Sequence, residues 1–295
     1  MNFQEMTDRI ATGEGFIAAL DQSGGSTPKA LTGYGIEAGS WSNDDEMFAL
    51  IHQMRSRIIE SPCFGSGKVL GAILFEKTMD GESGGKPVPE RLKERGIVPF
   101  LKVDKGLEDE ADGVQLMKPM PDLESLLDRA NAKGVFGTKM RSVIKSSNAA
   151  GIRAIVRQQF EEGRRILAQG LMPILEPEYD IKAADRAEGE AVLLAAIQEQ
   201  LEALPEGRQI MLKLSIPAEA NLYAPLIGHP KVLRVVALSG GYSTEEACAK
   251  LAENRGMIAS FSRGLLQELR ASQSDEEFDA TLGSAIDQIH AASVT

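Results

Sequence analysis

Eight short apolar runs, interleaved with longer amphipathic stretches, constrain this chain more than any other feature. They are Gly15–Ser23, Val69–Phe75, Val98–Asp104, Gly134–Ser142, Met172–Glu178, Gln209–Ile216, Leu233–Ser239 and Met257–Ser262. Most are rich in Val, Ile and Leu, as strands buried on both faces tend to be. Between them the spacing of apolar residues switches to three and four over Asp44–Glu60, Asp122–Gly134, Gly151–Gly170, Ala187–Leu204, Ser243–Gly256 and Asp275–Ala292. Asn43–Asp44, and Ser243 with Glu246, read as helix starts. Strands alternating with helices predict a parallel sheet, and eight such units predict a closed (β/α)8 TIM barrel of the α/β class. An open doubly wound sheet is the other arrangement that the strand count allows. The Gly- and Pro-rich stretch Asp80–Pro89 is short and reads as a surface connection, so residues 1–295 are expected to form one barrel domain.

Charge narrows the partners. The formal net charge of −11 disfavours a nucleic-acid or anionic-membrane surface. No apolar stretch reaches the roughly 20 residues of a membrane span, and the N-terminus lacks the apolar core of a secretion signal. Cys63 and Cys248 fit no metal spacing and no disulfide framework, so the protein is expected to be cytoplasmic. His52, His229 and His290 lie in unrelated segments, which disfavours a zinc-dependent site; no metal and no cofactor is expected. The segments FGSGK (Phe64–Lys68) and GGK (Gly84–Lys86) lack the full spacing of a nucleotide loop. Association with further copies of the chain is compatible with all of this.

Function is read from the charges that interrupt the apolar strands. Asp21 ends the first strand, Lys102 and Asp104 belong to the third run, and Lys139 and Arg141 to the fourth. Glu176 and Glu178 are in the fifth, Lys213 in the sixth. Strand side chains alternate with period two, so Lys102 with Asp104, Lys139 with Arg141, and Glu176 with Glu178 each share a face. In a barrel that face can be the interior near the C-terminal mouth, where active sites form. A lysine in a run such as IMLKLSI is costly to bury charged. It either finds a carboxylate or loses its proton, and a neutral amine can attack a ketone to form an imine. Glu176, Glu178 and Asp21 are candidate acids and bases for the proton transfers that follow. Ser239-Gly240-Gly241 follows the seventh strand and Arg263 the eighth, the recurrent phosphate position of such barrels. A phosphorylated ketose is the substrate class these residues suggest.

The segments AALDQSGGSTPK, GAILFEKTMDG, VPFLKVDKG, FGTKMRSVIK, MPILEPE, MLKLS, LSGGYSTEEA and FSRG occur in this order along almost the whole chain. With them the sequence resembles the class I fructose-bisphosphate aldolases, in particular the shorter bacterial type. The resemblance implies reversible cleavage of fructose 1,6-bisphosphate to dihydroxyacetone phosphate and glyceraldehyde 3-phosphate, in glycolysis and gluconeogenesis. It implies Lys213 as the Schiff-base lysine, Glu176 in carbinolamine dehydration, and Glu178 as the acid/base at the C4 hydroxyl. Asp21, Lys102 and Lys139 would orient hydroxyls and balance charge. Ser239, Gly240, Gly241 and Arg263 would hold the C1 phosphate, and Ser23, Ser26 and Lys102 the C6 phosphate, with Arg141 a further site candidate. Ala30 stands where animal members carry Arg, and the FSRG motif is one residue shorter than theirs. A transaldolase or another imine-forming barrel aldolase is the alternative.

Overall fold

The computed structural model describes all residues, Met1–Thr295. Eight parallel strands form the barrel: β1 (Phe16–Leu20), β2 (Val69–Leu74), β3 (Val98–Lys102), β4 (Gly137–Ile144), β5 (Met172–Tyr179), β6 (Ile210–Ser215), β7 (Val232–Leu238) and β8 (Ile258–Ala259). They pair in sequence order, each with its neighbour. No ladder joins β8 to β1, although the two strands lie side by side, so the barrel is nearly closed at one seam. Helix α1 (Phe3–Thr12) precedes the barrel, and the outer ring includes α2 (Asp44–Glu60), α3 (Leu123–Ala132), α4 (Ala149–Ala168), α5 (Arg186–Glu202), α6 (Thr244–Ala252) and α7 (Asp275–Ser293). The barrel expectation holds, and the open-sheet alternative does not.

The helix starts follow from local chemistry. The Asn43 side chain accepts from the Glu46 amide at the head of α2, and Ser243 does the same for Glu246 ahead of α6. Ser274 and Glu277 form a reciprocal box that opens α7. Two features depart from the sequence reading. The Asp80–Pro89 connection contains a two-stranded antiparallel hairpin, Glu82–Ser83 with Lys86–Pro87, before a helix over Val88–Glu94. Helix α1, unforeseen, carries only Met6 and Ile10 as buried residues, too few to show a period in sequence.

Those two residues join the core inside the barrel. Met6 and Ile10 pack with Ile17, Phe100, Ile174 and Met211, so α1 plugs the N-terminal end. Arg234 fixes the plug by donating to the Ala11 and Gly13 carbonyls. The alternate residues of the same strands, such as Leu175, Leu212 and Leu214, face outward into the larger core beneath the helices. Period two thus works as expected. On β6, Met211 points into the apolar floor and Lys213 sits one step nearer the mouth. The apolar filling stops there and polar groups begin.

Candidate active site

The polar residues that end the inward-facing columns line one cavity of about 1090 Å³ at the C-terminal mouth. It gathers Asp21, Lys102, Lys139, Arg141, Glu176, Glu178 and Lys213 from four strands and the segment following β1, with Ser23, Ser26, Ser239, Gly240 and Arg263 around its rim. Gly241 borders the adjoining compartment of about 410 Å³, which also touches Arg141, Glu178 and Arg263.

The centre is built on one shared carboxylate. Glu176 Oε1 lies 3.1 Å from Lys213 Nζ, and Glu176 Oε2 lies 2.9 Å from Lys139 Nζ. The second contact is a charge contact without hydrogen-bond alignment, which leaves Oε2 free to receive another donor. Lys139 Nζ is also 2.7 Å from Asp21 Oδ2. All four side chains are at most 10% exposed. Strand register contributes: Ile174 and Leu175 of β5 pair with Met211 and Leu212 of β6, which brings Glu176 level with Lys213, while Lys139 is the partner of Lys102 on β3. Lys102 would face Lys139 directly as a like charge, but it turns away to Asp104, meeting Oδ1 at 2.7 Å and the main-chain oxygen at 2.8 Å. Asp104 Oδ2 accepts from the Arg141 amide. Arg141 in turn pairs with Glu178 at 3.0 Å. The eight groups, four cations and four carboxylates, balance when all are ionised.

Burial and charge act in opposite directions on these groups. For Asp21, burial favours the neutral acid, yet Lys139, Lys213 and Lys102 together outweigh it and hold the carboxyl well below its usual range. For Lys139, burial favours the amine, but Asp21, Glu176 and Asp104 outweigh it and keep the ammonium. Glu178 goes the other way: burial raises it, Arg141 only partly opposes, and Glu176 adds to the rise. The two carboxyls are thus shifted in opposite directions, Asp21 toward the anion and Glu178 toward easier protonation, the kind of separation that acid–base chemistry uses. Lys213 is as buried as the sequence predicts, but it is not unpartnered, since burial has been met with Glu176.

The rim residues are placed differently. Gly240 and Gly241 have φ of +63° and +125°, which only glycine adopts without strain, and a Cβ on Gly240 would meet Ile181 Cγ2 at 2.5 Å. A Cβ on Gly241 would lie 3.5 Å from Arg263 Nη2, so the arginine flanks the Gly-Gly turn. Ser239 is buried and Arg263 exposed. Ser23 and Ser26 close a small loop, with the Ser23 amide donating to Ser26 Oγ and that hydroxyl donating back to the Ser23 carbonyl. His52, His229 and His290 lie apart from the cavity, and Trp41 packs half-buried against the outer core.

Four groups escaped the sequence reading. Arg55, wholly buried on α2, donates to the Gln22 carbonyl at 2.6 Å and to Thr78 Oγ1 at 2.8 Å. Gln22 donates to Ser262 Oγ at 2.6 Å. Ser260, 1% exposed, lines the cavity with a hydroxyl that has no partner. Only Gln22 and Ser262 carried a signal, as polar residues at the ends of two apolar runs; Arg55 sits in an amphipathic helix where an arginine looks like solvent-facing charge.

The model for class-I fructose-bisphosphate aldolases matches residues 3–201. Among solved structures, a fructose-bisphosphate aldolase from Plasmodium falciparum, crystallised with TRAP and a small-molecule inhibitor, superposes with a TM-score of 0.76 at 20% identity. That alignment covers 99% of this chain and 94% of the other, and it supports the barrel fold. An N-acetylneuraminic acid synthetase from Leptospira borgpetersenii serovar Hardjo-bovis reaches a TM-score of only 0.41 at 12% identity, over 95% and 85% of the chains, too weak a likeness to argue from. No helix here is long and apolar enough to cross a membrane.

Proposed function

Because this chain belongs to the class-I fructose-bisphosphate aldolase family, we propose that it cleaves fructose 1,6-bisphosphate reversibly through an imine on Lys213. The products would be dihydroxyacetone phosphate and glyceraldehyde 3-phosphate, in glycolysis or its reversal. The observation that carries the assignment to Lys213 is the carboxylate of Glu176, shared between two lysines of unequal surroundings. Lys139 touches two carboxylates and stays an ammonium, which cannot attack a carbonyl. Lys213 touches only Glu176, the group that can take its proton.

Once deprotonated, Lys213 Nζ adds to the C2 carbonyl. Glu176 returns the proton to the carbinolamine hydroxyl, which leaves as water and gives the iminium ion. Glu178 takes the C4 hydroxyl proton, the C3–C4 bonding pair flows toward the iminium nitrogen, and glyceraldehyde 3-phosphate departs. Protonation of the enamine at C3 and hydrolysis release dihydroxyacetone phosphate and restore the lysine. Asp21, held as an anion, anchors Lys139 and accepts from substrate hydroxyls, while Lys102 donates to them. Ser239, the Gly240–Gly241 turn and Arg263 receive the C1 phosphate, with backbone N–H groups and a guanidinium as donors. Ser23, Ser26 and Lys102 receive the C6 phosphate, and Arg141 is a further site candidate in the same cavity.

Borohydride reduction in the presence of dihydroxyacetone phosphate, followed by peptide mapping, tests the assignment. Lys213 should carry the adduct, and Lys213→Arg should lose both trapping and turnover, since a guanidinium forms no imine. Labelling of Lys139 or Lys102 with Lys213 unmodified would refute it.

A further inference from the structure

The seam between β1 and β8 is the one place in the barrel where adjacent strands share no ladder hydrogen bonds. Something else must hold the two edges in register. On the outside, α7 covers the seam, and Ser293 Oγ accepts from the Ala259 amide of β8. At the mouth a single side-chain bridge crosses it. Gln22 Nε2, two residues past the end of β1, donates to Ser262 Oγ at 2.6 Å and to the Ala19 carbonyl at 2.9 Å.

Gln22 is itself clamped. Arg55 donates to its main-chain oxygen at 2.6 Å and to its side-chain oxygen at 3.2 Å, and reaches Thr78 Oγ1 after β2. This guanidinium is 0% exposed and has no carboxylate within ion-pair distance. Its hydrogen-bond acceptors are neutral, and Asp21 acts on it only from beyond ion-pair distance, too weakly to offset burial, so the arrangement costs stability that an apolar side chain would not. The cost falls at the one residue that bridges the seam.

The bridge lies between the two groups assigned above to phosphate. Ser23 follows Gln22 directly, and Arg263 follows Ser262 directly. Any drift of β8 from β1 would change the distance between the Ser23–Ser26 loop and Arg263. We propose that the Gln22–Ser262 bridge, clamped by Arg55, sets the spacing of the two anion-binding ends and so makes the cavity selective for doubly phosphorylated open-chain sugars of one length. Gln22, Ser262 and Arg55 are positioning residues here, not catalytic ones. The proposal rests on the phosphate assignments of the preceding section but not on the imine.

Two unreactive ligands separate the questions. Hexitol 1,6-bisphosphate and hexitol 1-phosphate have no carbonyl, so neither can form an imine, and calorimetry reads binding alone. Ser262→Ala removes the bridging hydroxyl from a half-buried side chain and leaves Gln22 its bond to Ala19. The bisphosphate should bind about five- to tenfold more weakly to this variant, as expected for one hydrogen bond. The monophosphate should lose less than about twofold, and Ser262→Thr, which keeps a hydroxyl, should restore the preference. Equal losses for both ligands, no loss, or a threonine variant that behaves as alanine would overturn the proposal. So would a wild-type protein that binds both ligands equally, whatever the borohydride experiment shows for Lys213.

Discussion

Replacing Lys139 with methionine removes one ammonium and leaves two carboxylates facing an apolar chain. Lys139 Nζ lies 2.7 Å from Asp21 and 2.9 Å from Glu176. At an effective dielectric constant of about 20, contacts of this length carry roughly 6 kcal/mol of attraction each. Several kcal/mol of that is offset because the ammonium's own burial penalty disappears with it. The net cost of stranding a buried partner is about 3–5 kcal/mol. At a urea slope of about 3 kcal/mol per molar, the unfolding midpoint should fall by about 1–2 M at pH 7.5.

The pH dependence follows from Asp21. In the wild type its folded pKa is depressed, so it contributes stability above its unfolded value of about 3.9, lost as pH falls through the folded one. Without Lys139, burial acts on Asp21 with less opposition from the remaining lysines, and its folded pKa rises. A raised carboxyl is destabilising at neutral pH and recovers as pH falls toward and below that raised value. The gap between the two proteins should therefore narrow from pH 7.5 toward pH 4. Urea titrations at both pH values, in parallel with borohydride trapping, provide the assay. Turnover should slow while trapping at Lys213 persists. A midpoint shift below about 0.3 M, about 1 kcal/mol at that slope, or a gap that is constant or widens toward acid, would refute the account of Lys139 as the ion that holds the centre together.

Three other outcomes are expected. Glu178→Gln should lower kcat by about 10²- to 10⁴-fold, the usual contribution of a positioned acid/base, while leaving imine trapping with dihydroxyacetone phosphate intact; stopped assays on both reactions check it. The raised pKa of Glu178 also moves its limb of the wild-type rate profile to higher pH than an unperturbed glutamate would give, and Glu178→Gln should abolish that limb. Arg263→Ala should weaken dihydroxyacetone phosphate binding by about 1–3 kcal/mol, the scale of a charge-assisted hydrogen bond; unchanged affinity by calorimetry would remove Arg263 from the phosphate site. Incubation with EDTA should leave turnover unaltered, since no three His, Cys, Asp or Glu side chains converge to hold a metal; loss of activity with recovery on adding zinc would contradict the imine route.

Local periodicity made the fold and much of the site legible. Apolar alternation on β6 put Met211 and Lys213 on one face, and the same rule put Glu176 with Glu178 and Lys139 with Arg141. Glycines after β7 announced a turn that needs positive φ. These are properties of short segments, so the order of residues was enough to determine them. What only the tertiary structure decided depends on distances between segments. The barrel's register set β5 beside β6 so that Glu176 stands level with Lys213, and the fold brought Lys139 to the other oxygen of the same carboxylate. The same geometry set apart Asp21 and Glu178, alike in sequence as acids, because three lysines surround one while burial dominates the other. Arg55 could not be foreseen at all: its helix is amphipathic, and only the folded chain brings that position to Gln22 and Thr78, above a seam whose missing ladder no strand pattern records.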